Sequence, residues 1–171
     1  MSRRSKRISK ALAKVDHSLS ELLGLMESGK DLSASALTVS AWTPGKHIEH
    51  AMLAGESVYR VAQLLSTGDG EKPKLRLIGR VSIAFNWIPR GKGKAPDVTQ
   101  PGDLTIEELR SRLEILRKSF ASLDAEKLAS CKVGRAHPVF GVLGPRDWLR
   151  FMPVHNHHHV KIVRDVWNAA E

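Results

Sequence analysis

The sequence predicts an all-α fold, a four-helix bundle with long connections between its helices. Three observations carry this. Four segments are long and amphipathic, with apolar residues recurring at three- and four-residue steps. No strand-and-hairpin pattern of comparable strength competes with them. The stretches between them are long, as in bundles whose chain crosses from one side to the other. The whole chain, 1–171, reads as one domain, and its 171 residues suffice for a substantial core.

The first helix is expected over 5–29. Ile8, Ala11, Val15, Leu19, Leu22 and Met26 form its apolar stripe, Gly24 weakens its second half, and Gly29 is a natural stop. A Ser-rich connection then leads to Trp42. Thr43-Pro44 opens the second helix, Thr as cap and Pro where its missing N–H costs nothing. That helix should run over 44–66 with His50, Ala54, Val58, Val61 and Leu65 inward, Leu53 and His47 flanking them, and Glu49 pointing away.

Residues 67–104 are the least regular. Leu75, Ile78, Val81 and Phe85 favour a short helix, while Leu75, Leu77, Val81 and Ile83 would also suit strands, and Gly79 suits neither. The helix is the preferred reading. Pro89 to Pro96 is an irregular basic stretch. Its Gly91-Lys92-Gly93-Lys94 is not a phosphate loop, since the preceding strand and the full spacing are missing. The Arg90–Lys94 segment reads equally as a plain surface loop or as a cover over a pocket mouth that greets an anionic group.

Thr105-Ile106-Glu107-Glu108 is a capping box, and Ile106, Leu109, Leu113, Leu116 and Phe120 continue it as a helix to about 122. One short helical turn is expected over 124–130. Gly134 to Gly144 reads as a second irregular connection, with His137 structural or pocket-lining in preference to ligating. Pro145 opens the last helix, and Pro153 inside it should remove one backbone hydrogen bond and bend it next to a histidine run.

That run, His155-Asn156-His157-His158-His159, is the chemically loaded part of the chain. At helical spacing Trp148, Met152, His155, His159, Ile162 and Val166 share one face, so a face that should be apolar carries two imidazoles one turn apart. Burying them side by side is costly unless something satisfies them. A metal ion does so most simply, because neutral imidazole is a common ligand. His50 offers a third ligand from the second helix, although alone it would read as a core histidine hydrogen-bonded to a backbone group. His47, one turn earlier, is the substitute or outer-shell group. The competing reading is a solvated polar face. A purification tag does not fit an internal run broken by Asn156.

The formal net charge of +9 suits nucleic acid, a membrane surface or acidic small molecules. Nucleic acid is the weakest of these, for the chain has neither zinc-finger cysteines nor an aromatic stacking signature. No apolar run approaches the roughly 20 residues of a membrane span. The single Cys131 excludes an intramolecular disulfide, fits a reducing, cytoplasmic setting, and has no neighbouring base to make it a nucleophile.

Trp42-Thr43-Pro44-Gly45-Lys46-His47-Ile48-Glu49-His50, then His137-Pro138-Val139-Phe140-Gly141-Val142-Leu143, Trp148-Leu149-Arg150-Phe151 and His155-Asn156-His157-His158-His159 together resemble the DinB-like family. They are most similar to a subgroup with a His-Pro-aromatic-Gly loop before a His-x-x-His-His helix. The resemblance implies a four-helix bundle holding a divalent metal through three histidines, here His50, His155 and His159. His158 matches a position beside the second ligand and is not assigned to the metal, and His47 and His157 are extras of this chain.

The resemblance further implies a metal-dependent enzyme, since relatives in the wider superfamily include transferases that use a low-molecular-weight thiol such as bacillithiol or mycothiol. Others are hydrolases or isomerases. Three nitrogen ligands do not choose among Zn²⁺, Ni²⁺ and Fe²⁺. Trp42, His137, Trp148 and the Arg90–Lys94 loop are the expected pocket walls, and their basic members suit a small anionic substrate. The alternatives are a non-catalytic bundle that binds a ligand or protein partner and, less favoured, a nucleic-acid-binding protein. Exposed helix faces would permit a homodimer.

Overall fold

The computed structural model describes residues 1–91 and 95–171. Helix α1 spans Arg3–Glu27, α2 Pro44–Ser66, α3 Leu77–Phe85, α4 Ile106–Ala121, α5 Ala125–Ser130 and α6 Pro145–Ala170. Three short strands accompany them: β1 (Lys74–Leu75), β2 (Arg135–His137) and β3 (Gly141–Leu143). The fold is all-α, a helical bundle with one small sheet.

The helix starts follow the sequence. Ser2 caps α1 by accepting the Ser5 N–H at 3.0 Å, so the helix begins two residues before the expected start. Thr43 caps α2, and Thr105 with Glu108 forms the expected capping box on α4. Ser28 closes α1, and Gly29 follows with a φ of 71°. Helix α6 runs through Pro153 without interruption.

The long helices α1, α2, α4 and α6 make the bundle. Helix α6 packs along both α1 and α2, and α4 packs against the same two from the other side. Helices α1 and α2, consecutive in the chain, touch little. They occupy opposite corners, which is why the connection between them must be long. Val15, Leu19 and Leu22 of α1, Ile48 and Met52 of α2, Leu113 and Phe120 of α4, and Leu149 and Met152 of α6 are buried together between the four.

Two connections carry more structure than expected. Gly134 to Gly144 is not irregular: it is an antiparallel hairpin with Arg135 opposite Leu143 and His137 opposite Gly141, and β1 adds to its other side through Lys74 and Val142. Three-residue strands are too short for alternation to be read from sequence. Their geometry depends on Gly141, whose φ of 89° admits few other residues. The disputed 75–85 stretch divides: Lys74–Leu75 is strand and Leu77–Phe85 is helix. Gly79 fits this helix because a Cβ there would lie 2.8 Å from Cβ of Phe140, so the bare backbone lets α3 lie on the hairpin.

Candidate metal centre

His50 stands on α2, and His155 and His159 stand one turn apart on α6. The two helices pack side by side, and the rings meet between them. Centroids are 5.1 Å apart for His50 and His155, 4.7 Å for His50 and His159, and 4.6 Å for His155 and His159. One ring nitrogen from each lies within 4.8 Å of the others, a spacing that could hold a single metal ion.

The rotation of α6 that brings this about has a visible anchor on its other side. Asn156, fully buried, donates from Nδ2 to Ser18 Oγ of α1 at 3.0 Å, and Ser18 donates to the Val15 carbonyl at 2.8 Å. A polar pair in an apolar seam specifies register, since any slip would leave both groups unpaired. With Asn156 turned to α1, its neighbour His155 and the next turn's His159 are turned to α2.

The environment keeps these rings neutral. Burial pushes His155 and His159 well below the usual value of 6.5, and the charge that neighbouring histidines would carry adds to it. Burial also lowers His50, against a hydrogen bond to the Thr99 backbone that works in the opposite sense. Neutral imidazole is the form that ligates a metal.

Hydrogen bonds then decide which nitrogen is available. Nδ1 of His50 lies 2.7 Å from the Thr99 carbonyl oxygen. A carbonyl can only accept, so Nδ1 carries the hydrogen and Nε2 keeps a bare lone pair. Glu49, expected to point away, is buried beside it and accepts the Gly102 N–H at 2.8 Å. The two residues grip one loop: Glu49 through Gly102, His50 through Thr99. Neither Thr99 nor Gly102 stands in a periodic pattern, so sequence reasoning missed both.

His155 Nδ1 is sealed from solvent and has no hydrogen-bond partner among the described residues. An orphaned imidazole nitrogen inside a fold is costly. Beside two other neutral imidazoles it fits a cation better than it fits a core. The three-nitrogen donor set suits a divalent transition metal and leaves coordination positions for other ligands.

Of the expected wall residues, Trp42 is in place, its ring 5.1 Å from His50 and 5.4 Å from His47. His158 meets His159 edge-on at 5.0 Å, and burial followed by the nearby Arg90 charge holds it at about 4. His137 and Trp148 are farther out. His137 accepts the Val139 and Phe140 N–H groups on Nδ1, both at 3.2 Å, so it ties the hairpin turn, and burial lowers it to about 4. Trp148 donates to the Arg135 carbonyl at 3.3 Å and pins the same hairpin to α6. Phe151, quoted in the resemblance but given no role there, connects that cluster to the site, 4.7 Å from His137 and 5.4 Å from His155.

Of the basic loop, Arg90 pairs with Asp165 of α6 at 2.7 Å, while Lys92, Gly93 and Lys94 lie outside the described residues. Cys131 is half-buried with its sulfur 3.5 Å from the Val133 carbonyl, in the segment between α5 and β2. Among the described residues no helix is long and apolar enough to cross a membrane.

Fold and geometry together define a helix-bundle protein with a three-histidine candidate metal centre. The profile of the DinB superfamily matches residues 15–163, and the chain belongs to that superfamily. Comparison with curated proteins and with solved structures finds no match.

Proposed function

We propose that this chain is a metal-dependent enzyme, a small-molecule transferase in which His50, His155 and His159 hold one divalent cation. The observation that carries the proposal is the convergence of three neutral imidazoles, one with an orphaned nitrogen, in a site with no carboxylate among its ligand candidates within the described residues. A cation held there would supply Lewis acidity, lowering the pKa of a thiol or water brought to it. The resemblance to the thiol-using transferases of the wider superfamily favours the thiol, and with it the transfer of a small thiol to an electrophile.

The chain's own residues prepare the rest. Trp42 and the loop gripped by Glu49 and His50 cover the triad and limit water. His158 joins the triad to a cavity of about 240 Å³, lined also by Trp87, Arg90, His157 and Lys161. Lys161 gives that cavity a positive charge, with Arg90 held beside it by Asp165, which suits a carboxylate on the thiol, and Trp87 gives an apolar wall. In the reaction a carbon–sulfur bond forms, the thiol proton passes to solvent, and the electrophile's leaving group departs with the bonding pair.

The test is direct. Untagged protein loaded with Zn²⁺ or Ni²⁺ is given an aryl halide and, in turn, bacillithiol, mycothiol or cysteine. Thioether formation that requires the metal and is lost in His50→Ala supports the proposal. Loaded protein that accelerates none of these couplings, yet hydrolyses an ester or amide, moves the assignment to a hydrolase.

A further inference from the structure

His159 does not face the triad unaided. Its Nδ1 lies 3.0 Å from Nδ1 of His47, and the far nitrogen of His47, Nε2, lies 2.9 Å from Ser40 Oγ. Ser40 Oγ also accepts the Trp42 backbone N–H at 3.1 Å. A row of three side chains thus runs from the triad to the connection before α2.

A neutral imidazole has one N–H and one lone pair, so two facing Nδ1 atoms allow only two arrangements. In the first, His159 donates to His47. Nε2 of His159 is then bare, and His47 donates from its own Nε2 to Ser40, whose oxygen has lone pairs for both His47 and Trp42. The facing nitrogens of His159 and His47 and the far nitrogen of His47 are then all satisfied, and the O–H of the half-buried Ser40 is left for solvent. In the second, His47 donates to His159, and the hydrogen of His159 sits on Nε2. No hydrogen bond from that nitrogen forms among the described residues. The second arrangement also puts an N–H, in place of a lone pair, on the one nitrogen of His159 that His47 leaves for a cation.

We infer that His47 is a positioning residue: anchored by Ser40, it holds His159 in the Nδ1–H tautomer and aims the bare Nε2 at the metal. This rests on the metal-centre reading above. It parallels the Thr99 carbonyl at His50, so that two ligands standing on different helices are each oriented by a partner outside the triad. Such outer partners set ring orientation and ligand basicity. Free imidazole side chains favour the Nε2–H form, so the hold on His159 has something to overcome.

The experiment uses full-length protein and Zn²⁺, with affinity measured by chelator competition. His47→Phe keeps ring bulk without nitrogen, and His47→Gln restores an acceptor. His47→Phe should weaken Zn²⁺ binding by about 10–100-fold, His47→Gln should recover much of that, and Ser40→Ala should fall between wild type and His47→Phe. A residue that merely packs would lower the melting temperature of His47→Phe and leave Zn²⁺ affinity within about twofold of wild type, which overturns the inference.

Should His47→Phe not fold, Ser40→Ala and one measurement on metal-free wild type decide: ¹⁵N shifts of the His159 ring. The Nδ1–H tautomer supports the inference, and the Nε2–H tautomer overturns it. Wild type that shows the Nδ1–H tautomer but binds no Zn²⁺ overturns the metal reading and the purpose given to His47. Undiminished Zn²⁺ binding in His47→Phe overturns the positioning role alone.

Discussion

His50 and His159, set on different helices far apart in the chain, lie ring against ring with centroids 4.7 Å apart and an interplanar angle of 64°. Each has its Nδ1 occupied by a partner outside the triad, which leaves Nε2 as the nitrogen of each ring without a partner among the described residues. Two neutral imidazoles facing in this way gain little from each other. The contact makes sense as two sides of a cation site, and the consequences can be measured one at a time.

The first concerns His155. Its buried Nδ1 has no partner, and a group in that state costs about 1–3 kcal/mol. His155→Leu removes the orphan while keeping apolar contact with Phe151. Metal-free His155→Leu should therefore be more stable than metal-free wild type, by about 1 kcal/mol, and should lose high-affinity Zn²⁺ binding. Chemical denaturation of both proteins in chelator reads the first effect and competition titration the second. A variant destabilised by several kcal/mol would show that the ring is ordinary core.

Acid should unfold the metal-free protein early. A histidine whose folded pKa is depressed stays neutral in the fold and takes up a proton on unfolding. Its stabilisation is complete above the unfolded value and is lost as pH falls through the folded one. Burial puts His47, His137 and His158 at about 4 from an ordinary 6.5, so their contribution declines between those values, and that of His155 and His159 declines further below. The unfolding free energy should rise with pH across this window. Its slope should approach about 1.4 kcal/mol per unit for each fully buried neutral ring. Denaturation midpoints from pH 7 to pH 4 measure it, and a flat profile contradicts the burial of neutral imidazoles.

The loop at the site should answer to Glu49, whose carboxylate accepts the Gly102 N–H. Glu49→Ala frees the Gly102 N–H and loosens the segment whose Thr99 carbonyl orients His50. A hydrogen bond to a charged group contributes about 1.5–3 kcal/mol, and loss of an outer partner weakens metal binding by about tenfold or more. Faster amide exchange at Gly102 together with weaker Zn²⁺ binding is expected. Faster exchange with unchanged affinity would disconnect the loop from the site.

Gly79→Ala tests how α3 reaches the hairpin. The added methyl would meet Phe140 Cβ at 2.8 Å and Leu75 Cδ1 at 2.9 Å, and the Phe140 atom cannot swing aside as a side-chain end could. Overpacking of this kind costs about 1–3 kcal/mol and outweighs the better helix propensity of Ala. A lower denaturant midpoint at unchanged slope is the expected result.

What could be read from sequence was set by periodicity and capping. Helices α1, α2, α4 and α6 each span several turns, and Thr43-Pro44, the Thr105–Glu108 box and Gly144-Pro145 mark the starts of the last three. Once His50, His155 and His159 are placed on inward faces of long helices, packing leaves them few places to be, so their meeting was legible. The hairpin was not, because three-residue strands show no alternation and its turn depends on Gly141 in a left-handed conformation. Thr99 acts through its backbone carbonyl, which any residue could supply. Ser40 is one serine among several in its connection, and only the position of its oxygen beside His47 sets it apart.

The central claim is that His50, His155 and His159 bind one divalent metal. X-ray absorption on untagged protein loaded with Zn²⁺ and freed of excess measures it most directly, because stoichiometry and coordinating atoms come from one sample. The account predicts about one equivalent of metal with three imidazole nitrogens at about 2.0–2.1 Å, reduced to a trace in His50→Ala. Less than about a third of an equivalent after reloading, or the same spectrum in wild type and His50→Ala, would contradict it.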